Sequence, residues 1–468
     1  MRELHELSAL EQARAIRERE ISPVELTRHY LDRIERIDPQ VGAYVTVTAE
    51  LALDQARDLE KQLPDGPLAG VPIPIKDLNL VKDVPIMFGS NAYRGFVSPV
   101  DDTVVERLRE AGTVMLGKTA TPEFGLPCYT ETYLSPPTRS PWDLARSAGG
   151  SSGGAAAAVA AGLAPAAQGS DGAGSIRIPA AVCGLFGIKP TRGRISFAPI
   201  IPDLVGMSTN GPIARTVADA AALLDVMAHN NPGDVFLAPP HEGTFLEHAT
   251  RDPGRLRIAR YAEPVVPGAV VEPEVLAAYE EAAKTLAALG HEVVEIPSPF
   301  GPEVVPEFST LWFAFACMHP VADHQVGELR PITARLRERG FATSAPTFLQ
   351  AHAALQGAVR QALTITDGYD AVLTPTVTQP PRPVGWFEDV EDVDETFERM
   401  KRFAAFPAIY NVSGQPAVNL PLYWTDQGLP IGVMLGGRIG GESTLISLSA
   451  QIEAYRGSFW GTRRPPIW

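Results

Sequence analysis

The sequence predicts an α/β fold, because segments typical of strands alternate with segments typical of helices. From Leu68 the string LAGVPIPIKDL is a short strand-like run, DTVVERLREAG then has helical periodicity up to Gly112, and TVMLGKT returns to a strand pattern. Later in the chain, the strand-like LRIARY precedes a helix over about residues 274–289 and the strand-like HEVVEIP. Both units are typical of α/β proteins, and the second is consistent with one continuous sheet.

Two helices open the chain, and each is preceded by a capping-box pattern. Ser8 pairs with Glu11 at the first helix and Ser22 with Glu25 at the second, where Pro23 takes the first helical position. The second helix has an apolar stripe at helical spacing, formed by Leu26, Tyr30, Ile34 and Ile37. These helices are expected to be scaffold.

The rest of the chain completes the expected organisation. A helix is predicted over about residues 217–228, a polar surface connection over 230–254, and buried strands at YDAVLTPT and PAVNLPLYW, with no internal repeat. We expect residues 1–65 to form an N-terminal helical part that packs on the core. Residues 66–468 are expected to form one continuous α/β domain with its core at about residues 68–230.

Composition excludes several classes of protein. The chain has 468 residues, of which 45% are hydrophobic, so disordered and fibrous proteins are excluded. A net charge of −15 disfavours binding to nucleic acid and to anionic membranes. Three cysteines without a C-x-x-C pair indicate neither a disulfide framework nor a thiolate zinc site, and fit a reducing, cytoplasmic setting.

Targeting and metal-binding patterns are not found in the sequence. The N-terminal segment MRELHELSALEQ lacks the apolar core of a secretory signal, so we expect the chain to start as mature protein. The longest apolar stretch, residues 153–167, is shorter than the roughly 20 residues that span a bilayer. His319 and His324 lie five residues apart on a predicted helix, which favours no shared metal face. No metal or cofactor is therefore expected.

The segment GGSSGG matches the G-x-S-x-G elbow of α/β-hydrolases through residues 149–153. That elbow must follow a buried strand, whereas SPWDLARSA, with Pro141 and two charged residues, predicts none. The alanine-rich run after the motif does supply a helix. An esterase that uses Ser151 with a distant Asp and His therefore stays open as an alternative.

Three elements together give a better account: Lys76 at the end of VPIPIK, Ser151 in GGSSGG, and Ser175 in GSDGAGSIRIPA. With the strings LGKTATPEFG, SPWDLARSAGGSSGG, GIKPTRGRIS and GPIARTVADAA in the same order, the sequence resembles the amidase signature family. The resemblance is strong over residues 4–230 and weaker up to Trp468. It implies a single large domain with a twisted, mixed β-sheet sandwiched between α-helices.

The resemblance also implies the roles of these residues. Ser175 would be the nucleophile, Ser151 a bridging serine held by a cis peptide bond, and Lys76 the base, with Ser152 in support. The physical reason is independent of the family, because a serine hydroxyl needs a base within hydrogen-bond reach, and no histidine occurs in these segments. Burial of a lysine lowers its pKa, so that it is able to accept a proton near pH 7. An acyl-enzyme intermediate follows from this chemistry.

The glycine-rich approach to Ser175 is expected to supply the oxyanion hole. In the family, the residues before the nucleophile provide the backbone N–H donors, which correspond here to Gly172, Ala173 and Gly174, together with Ser175 itself. Asp171 and Arg177 would brace this loop, although an ordinary buried ion pair fits equally well.

Two departures from the family pattern bear on the site. Ala173 stands where a glycine is commoner, and a positive φ there would cost roughly 1 kcal/mol or more. Ile86, Met87 and Phe88 replace residues that are often polar, which would place apolar groups near the site.

The substrate is expected to be a small hydrophobic amide, with carbamates (urethanes) or oligoamides as extensions. Ile178 replaces the glutamine typical of the A subunit of glutamyl-tRNA amidotransferase, and the sequence resembles more closely the free-standing members that hydrolyse aryl amides, nylon oligomers and urethanes. The glutaminase-type subunit and a catalytically dead interaction subunit remain as alternatives, and a homodimer is compatible with the sequence.

The candidate pocket residues are Met87, Phe124, Cys128, Tyr129, Met207, Trp312, Phe315 and Cys317. Each alone fits core packing better, as does the aromatic stretch that includes Phe308 and Phe313.

Overall fold

The central element of the computed structural model, which describes residues 2–200 and 205–468, is an eight-stranded mixed β-sheet. The strands of the chain are β1 (Tyr44–Val47), β2 (Ile75–Lys76), β3 (Gly117–Thr119), β4 (Arg139–Ser140), β5 (Asp143–Ser147), β6 (Ala166–Asp171), β7 (Phe186–Lys189), β8 (Thr209–Ala214), β9 (Arg257–Arg260), β10 (Glu292–Glu295), β11 (Ala371–Pro375), β12 (Ala417–Trp424) and β13 (Pro430–Gly437). The large sheet has the order β10-β9-β11-β13-β12-β7-β8-β6. Strand β9 pairs in parallel with β10 and β11, and the other pairs are antiparallel.

Helices cover both faces of this sheet. They are α1 (Ala9–Arg17), α2 (Pro23–Val41), α3 (Ala49–Lys61), α4 (Thr103–Glu110), α5 (Gly153–Ala160), α6 (Arg177–Cys183), α7 (Val217–Met227), α8 (Phe245–His248), α9 (Pro273–Ala288), α10 (Val304–Ala316), α11 (Pro331–Ala342), α12 (Ala345–Thr366), α13 (Val393–Phe403), α14 (Ala408–Ser413) and α15 (Glu442–Arg456). Every residue of β11 and β13 is buried, and successive strand residues face opposite sides, so neither face is left open there. The predicted α/β class is confirmed. Among the described residues, no helix has the length and apolar character needed to cross a bilayer.

The strand-helix-strand unit predicted around α4 is present, but it does not belong to the large sheet. Strand β2 pairs in parallel with β3, and β3 pairs with β1, to give a separate three-stranded sheet. The strand predicted over VPIPIK is reduced to Ile75 and Lys76, because the prolines at 72 and 74 have no N–H for a ladder. The expectation of one continuous sheet therefore holds for β9 and β10 and is wrong for β2 and β3.

The predicted caps form at both N-terminal helices, although the second is incomplete. Ser8 and Glu11 make the full capping box of α1, whereas at α2 Ser22 Oγ accepts from the Glu25 N–H at 3.0 Å without the reciprocal bond. The predicted apolar stripe of α2 is buried at Leu26, Tyr30, Ile34 and Ile37, as expected. From the same helix, Arg33 donates to the carbonyls of Ala161 and Gly162 just after α5.

A short strand precedes the GGSSGG segment, although the sequence predicted none. Strand β5 pairs with β4 as a two-stranded hairpin outside the large sheet, and its Arg146 also forms an isolated bridge with Pro383. The prediction of no strand is therefore wrong, but the buried central strand that an α/β-hydrolase elbow requires does not precede Ser151.

Candidate active site

Lys76 and Ser151 are joined by a buried hydrogen bond. The Lys76 Nζ lies 2.8 Å from Ser151 Oγ, 2.9 Å from Ser152 Oγ and 3.0 Å from Ser170 Oγ. Strand β2 delivers Lys76, and the turn into α5 delivers Ser151 and Ser152. The peptide bond between Gly150 and Ser151 is cis. The lysine thus sits within a ring of three serine hydroxyls.

The environment of Lys76 favours its neutral form. The side chain is fully buried, and burial lowers its pKa to about 7, against a smaller opposing effect of the Asp171 charge. Among the described residues no carboxylate forms an ion pair with it. Lys118, also fully buried, instead lies 3.1 Å from Asp77 Oδ1. Lys76 is therefore able to accept a proton near neutral pH.

Ser175 stands in the turn between β6 and α6, where two cavities meet. It is 7% exposed, and its carbonyl accepts a hydrogen bond from the Ser152 N–H at 3.0 Å. Within the described residues its hydroxyl has no hydrogen-bond partner. Ser175 lines both cavities, and Ser151 lines one of them.

The loop before Ser175 presents backbone N–H groups in two different ways. The Gly174 N–H donates to Asp171 Oδ1 at 2.7 Å, so this group is occupied. In the described part of the chain, the N–H groups of Gly172, Ala173 and Ser175 have no acceptor. Gly172 lines one cavity and Ala173 the other, so these free donors lie where both cavities reach Ser175.

The alanine at 173 causes no backbone strain. A positive φ occurs at Gly174, at 119°, and Ala173 is not among the described non-glycine residues with positive φ. A Cβ at position 174 would lie 2.7 Å from Ile178 Cδ1 and from Pro407 Cβ. The conformational requirement for glycine therefore falls on position 174, and the departure at 173 is tolerated.

A buried network holds this loop from behind. Arg177 donates to Asp171 from Nε at 3.0 Å and from Nη2 at 2.9 Å, and to Asn411 Oδ1 at 2.7 Å. Asn411 Nδ2 donates back to the Asp171 carbonyl at 2.9 Å. Burial alone would raise the pKa of Asp171, but the Arg177 guanidinium holds it well below its usual range. Asp171 therefore stays ionised and fixes the Gly174 N–H.

Asn411, Ser170 and Gln168 were not identified from the sequence. Asn411 lies in α14, far along the chain from Asp171, and no motif marks it. Gln168 and Ser170 could have been found from the sequence, because both lie in β6 and alternate residues of a strand face the same side. In the structure, Gln168 Oε1 accepts a hydrogen bond from the Lys76 N–H at 2.8 Å.

Two cavities of different chemistry open on Ser175. The first, here called the aliphatic cavity, includes Ala173, Ile178, Val265, Val304, Leu355, Met400, Ala404 and Ile409 in its lining. The second, called the aromatic cavity, includes Phe88, Tyr93, Phe96, Phe124, Ser151, Ser170, Phe315 and His319. Ser175, Leu126 and Trp312 line both.

Four of the eight predicted pocket residues line these cavities. Phe124 and Phe315 line the aromatic cavity, Cys128 lines the aliphatic cavity, and Trp312 lines both. Phe308, interpreted as core from the sequence, also lines the aliphatic cavity. Residues 86–88 were expected to place apolar groups near the site, and Phe88 of this segment lines the aromatic cavity.

The other four predicted pocket residues lie outside both linings, and each makes a contact with another protein group. Tyr129 donates its hydroxyl to Glu388 at 2.6 Å. Cys317 Sγ approaches the carbonyl of Arg337 at 3.5 Å. The Met207 carbonyl accepts from Asn411 at 3.0 Å, and the Met87 N–H donates to Asp77 Oδ2 at 3.1 Å.

No cluster of metal ligands is formed within the described residues. No group of three or more His, Cys, Asp and Glu side chains there is arranged to hold a metal ion. The helix predicted to carry His319 and His324 is wrong, because His319 lies in a turn after α10 and His324 in a short 3-10 helix, Asp323–Glu328.

Comparison with known proteins relates this geometry to one family. The family model described as Amidase matches residues 25–446. The 6-aminohexanoate-cyclic-dimer hydrolase of Paenarthrobacter ureafaciens is 36% identical over 98% of this chain and 96% of its own length. An acylamidase of Rhodococcus erythropolis is 33% identical over 99% and 98%. A solved structure of 6-aminohexanoate cyclic dimer hydrolase with substrate has a TM-score of 0.92 at 33% identity and covers 100% of both chains.

Proposed function

Because the chain belongs to the amidase signature family and is an amidase, we propose that it cleaves the C–N bond of hydrophobic amides through Ser175, Ser151 and Lys76. The observation that carries this proposal is the 2.8 Å hydrogen bond from a buried lysine to Ser151, with the Ser175 hydroxyl open to two cavities beside it. Carbamates and oligoamides are extensions of the same chemistry.

The reaction begins with proton removal from the nucleophile. Neutral Lys76 accepts a proton from Ser151, which in turn takes the proton of Ser175 as that oxygen attacks the amide carbonyl. The negative charge on the carbonyl oxygen is stabilised by the N–H groups of Gly172, Ala173 and Ser175. Gly174 does not act as a donor in this scheme, because its N–H is held by Asp171.

Collapse of the tetrahedral intermediate releases the amine. The proton held by Lys76 passes through Ser151 to the amide nitrogen, the C–N bond breaks, and the acyl group stays on Ser175 as an ester. Water then attacks this ester, with Lys76 again accepting the proton through Ser151. The products are a carboxylic acid and a free amine.

Apolar cavity linings support the substrate class. A substrate with hydrophobic groups on both sides of the amide would bury them on binding and so gain affinity. Small polar amides such as glutamine would leave these linings unfilled. The proposed partner is accordingly a hydrophobic small molecule with an amide or carbamate bond.

Release of amine from a panel of aryl amides, aliphatic amides, an oligoamide, a carbamate and glutamine tests this proposal. We expect turnover of the hydrophobic members and none in Ser175→Ala. Ser449→Ala is the matched control, because this serine is also buried but lies in α15, where its hydroxyl donates to the Leu445 carbonyl. Turnover confined to glutamine, or full activity of Ser175→Ala, would contradict the proposal.

A further inference from the structure

The two cavities beside Ser175 differ in the side chains that line them. Branched aliphatic residues such as Val304 and Leu355 are the most numerous in the first, and aromatic residues such as Phe88 and Phe124 are the most numerous in the second. The first cavity also has aromatic side chains in its lining: Phe300, Phe308, Trp312 and Phe397. Aromatic side chains pair favourably with one another, and with a ligand ring, in stacked or edge-to-face geometry. The two arms of a substrate would therefore meet different chemistry.

Ser151 lies on one side only, and this fixes which arm is which. It lines the aromatic cavity and is absent from the lining of the aliphatic cavity. In the proposed reaction Ser151 gives its proton to the departing nitrogen, so that nitrogen must face Ser151 within hydrogen-bond reach. The amine arm therefore extends into the aromatic cavity, and the acyl arm into the aliphatic cavity.

His319 supplies a polar group in the aromatic cavity. Its ring stacks on Phe124, with centroids 4.7 Å apart and planes 13° apart, and it also contacts Phe88 at 4.9 Å. Its backbone carbonyl accepts from Arg337 at 2.9 Å. Within the described residues, neither ring nitrogen has a hydrogen-bond partner. Ring contacts with Phe124 and Phe88 thus hold the imidazole in place, and its two nitrogens are left without a hydrogen-bond partner among these aromatic rings.

Burial keeps this ring in its neutral form. Desolvation lowers the pKa of His319 to about 4, and Arg337 lowers it further in the same direction. A neutral imidazole has one N–H donor and one acceptor nitrogen. It therefore matches a hydroxyl or amino group, which also both donates and accepts.

We propose that an aryl ring on the amine arm of the substrate lies in the aromatic cavity, and that His319 recognises a hydroxyl or amino substituent on this ring. This inference rests on the proposed function and specifies the substrate of the same site. His319 is a specificity-determining residue in this account and takes no part in bond cleavage.

Hexanoyl anilides with and without a ring hydroxyl test the role of His319. The measured quantity is the ratio of kcat/KM for the 3- or 4-hydroxyanilide to that for the plain anilide. In His319→Phe, which preserves stacking on Phe124 but has no ring nitrogen, we expect this ratio to fall by about threefold to tenfold, the value of one neutral hydrogen bond. The difference in chemical reactivity between the two anilides cancels when the ratio is compared between wild type and variant, because both enzymes receive the same substrates. His319→Gln is expected to recover part of the ratio.

A variant of the aliphatic cavity provides the crossed control. In Ala404→Leu we expect the preference for hexanoyl over acetyl anilide to fall, with the hydroxyl ratio unchanged. An equal hydroxyl ratio in wild type and His319→Phe would overturn the role of His319. A change of acyl-length preference in His319→Phe, or of the hydroxyl ratio in Ala404→Leu, would overturn the assignment of the arms. If wild type releases no amine from any anilide but hydrolyses an aliphatic amide or an oligoamide, the aryl assignment of the amine arm fails and the proposed function stands. If it hydrolyses none of these hydrophobic amides, the proposed function itself fails.

Discussion

The Lys76 side chain combines full burial with three hydroxyl neighbours and no ion-pair partner within the described residues. Hydroxyl groups solvate an amine without fixing it in the charged form as a carboxylate would. The Lys118 and Asp77 pair, close by in the chain, shows the contrasting arrangement of a buried lysine with a carboxylate. The environment of Lys118 is thus that of a structural ion pair, whereas the environment of Lys76 is suited to proton transfer.

Catalysis should therefore depend on deprotonation of Lys76. We expect kcat/KM to rise with pH through about 7, because the neutral amine is the base and the protonated form below that pH is inactive. Lys76→Met should lose this rise and at least about 10²-fold in rate. Lys189→Met is the matched control, since burial also lowers the pKa of Lys189 to about 7 but its Nζ bonds the Pro190 carbonyl. Disappearance of the rise in the Lys189 variant and its persistence in Lys76→Met would contradict this assignment.

Asn411 is expected to act as a positioning residue for the oxyanion loop. Asn411→Ala removes its bonds to Asp171 and Arg177, which should displace the loop and lower kcat by up to about 10²-fold, with little change in KM. The matched control is Asn419→Ala, because Asn419 is equally buried but bonds Thr376 and Leu185 in the sheet. Steady-state kinetics and thermal unfolding of both variants separate the two effects. Equal kcat in the two variants at equal stability would exclude a positioning role.

At this scale the sequence allowed the prediction of residues that stand in compact motifs. Lys76, Ser151 and Ser175 each lie in a distinctive local string, and the structure brings the first two into hydrogen-bond contact. Asn411 and His319 come from segments without such strings, and their positions depend on tertiary packing. Side chains of that kind are found only when distant parts of the chain are seen together.

The turn from β6 into α6 is the element that positions Ser175, the proposed nucleophile. Asp171 ends the strand and Arg177 begins the helix, and their fully buried ion pair closes the turn around Gly174. Both partners are also hydrogen bonded to Asn411, so the charges are well compensated. The turn is therefore held by interactions that would be costly to break on one side only.

Removal of Arg177 should destabilise the whole protein. Arg177→Met leaves the Asp171 carboxylate buried without its cation, and we expect the free energy of unfolding to fall by about 3–5 kcal/mol. Arg257→Met is the control, since its ion pair with Glu292 is exposed and should contribute no more than about 1 kcal/mol. Urea unfolding of both variants gives the comparison. A similar loss in both would show that the buried pair has no special structural role.

Elements with strong local patterns were predictable, and those set by tertiary pairing were not. The caps and apolar stripe of α2 are local, and the helix forms with that stripe buried. Strand β5 has a half-buried, charged sequence and forms because it pairs with β4 and, through Arg146, with Pro383 from a distant part of the chain. The segment that forms α11 and α12 has a weaker apolar stripe, and no element is predicted there from the sequence.

At the scale of the whole molecule, the N-terminal helical part is tied directly to the site. Strand β1 pairs with β3, which pairs in turn with the strand that carries Lys76. Further bonds join Arg33 to the end of α5 and the Gly42 carbonyl to Thr138. Residues up to 65 thus complete the small sheet that places Lys76, the proposed base.

Residues 66–468 alone should therefore not fold to an active protein. Deletion of the N-terminal part removes a strand of the small sheet and exposes the apolar residues that pack against α2. We expect little cooperative thermal unfolding and no amine release from the truncated chain, and partial recovery when residues 1–65 are coexpressed. A truncated chain that unfolds at the temperature of the full protein would contradict this dependence.

The most direct test of the account is to locate the acyl group on the enzyme during turnover. Mass spectrometry of peptides from wild type, quenched in acid soon after mixing with an activated hexanoyl anilide, is expected to place a hexanoyl ester on Ser175, with none in Ser175→Ala. An ester on Ser151 instead would contradict the proposed mechanism and favour an esterase-type use of that serine.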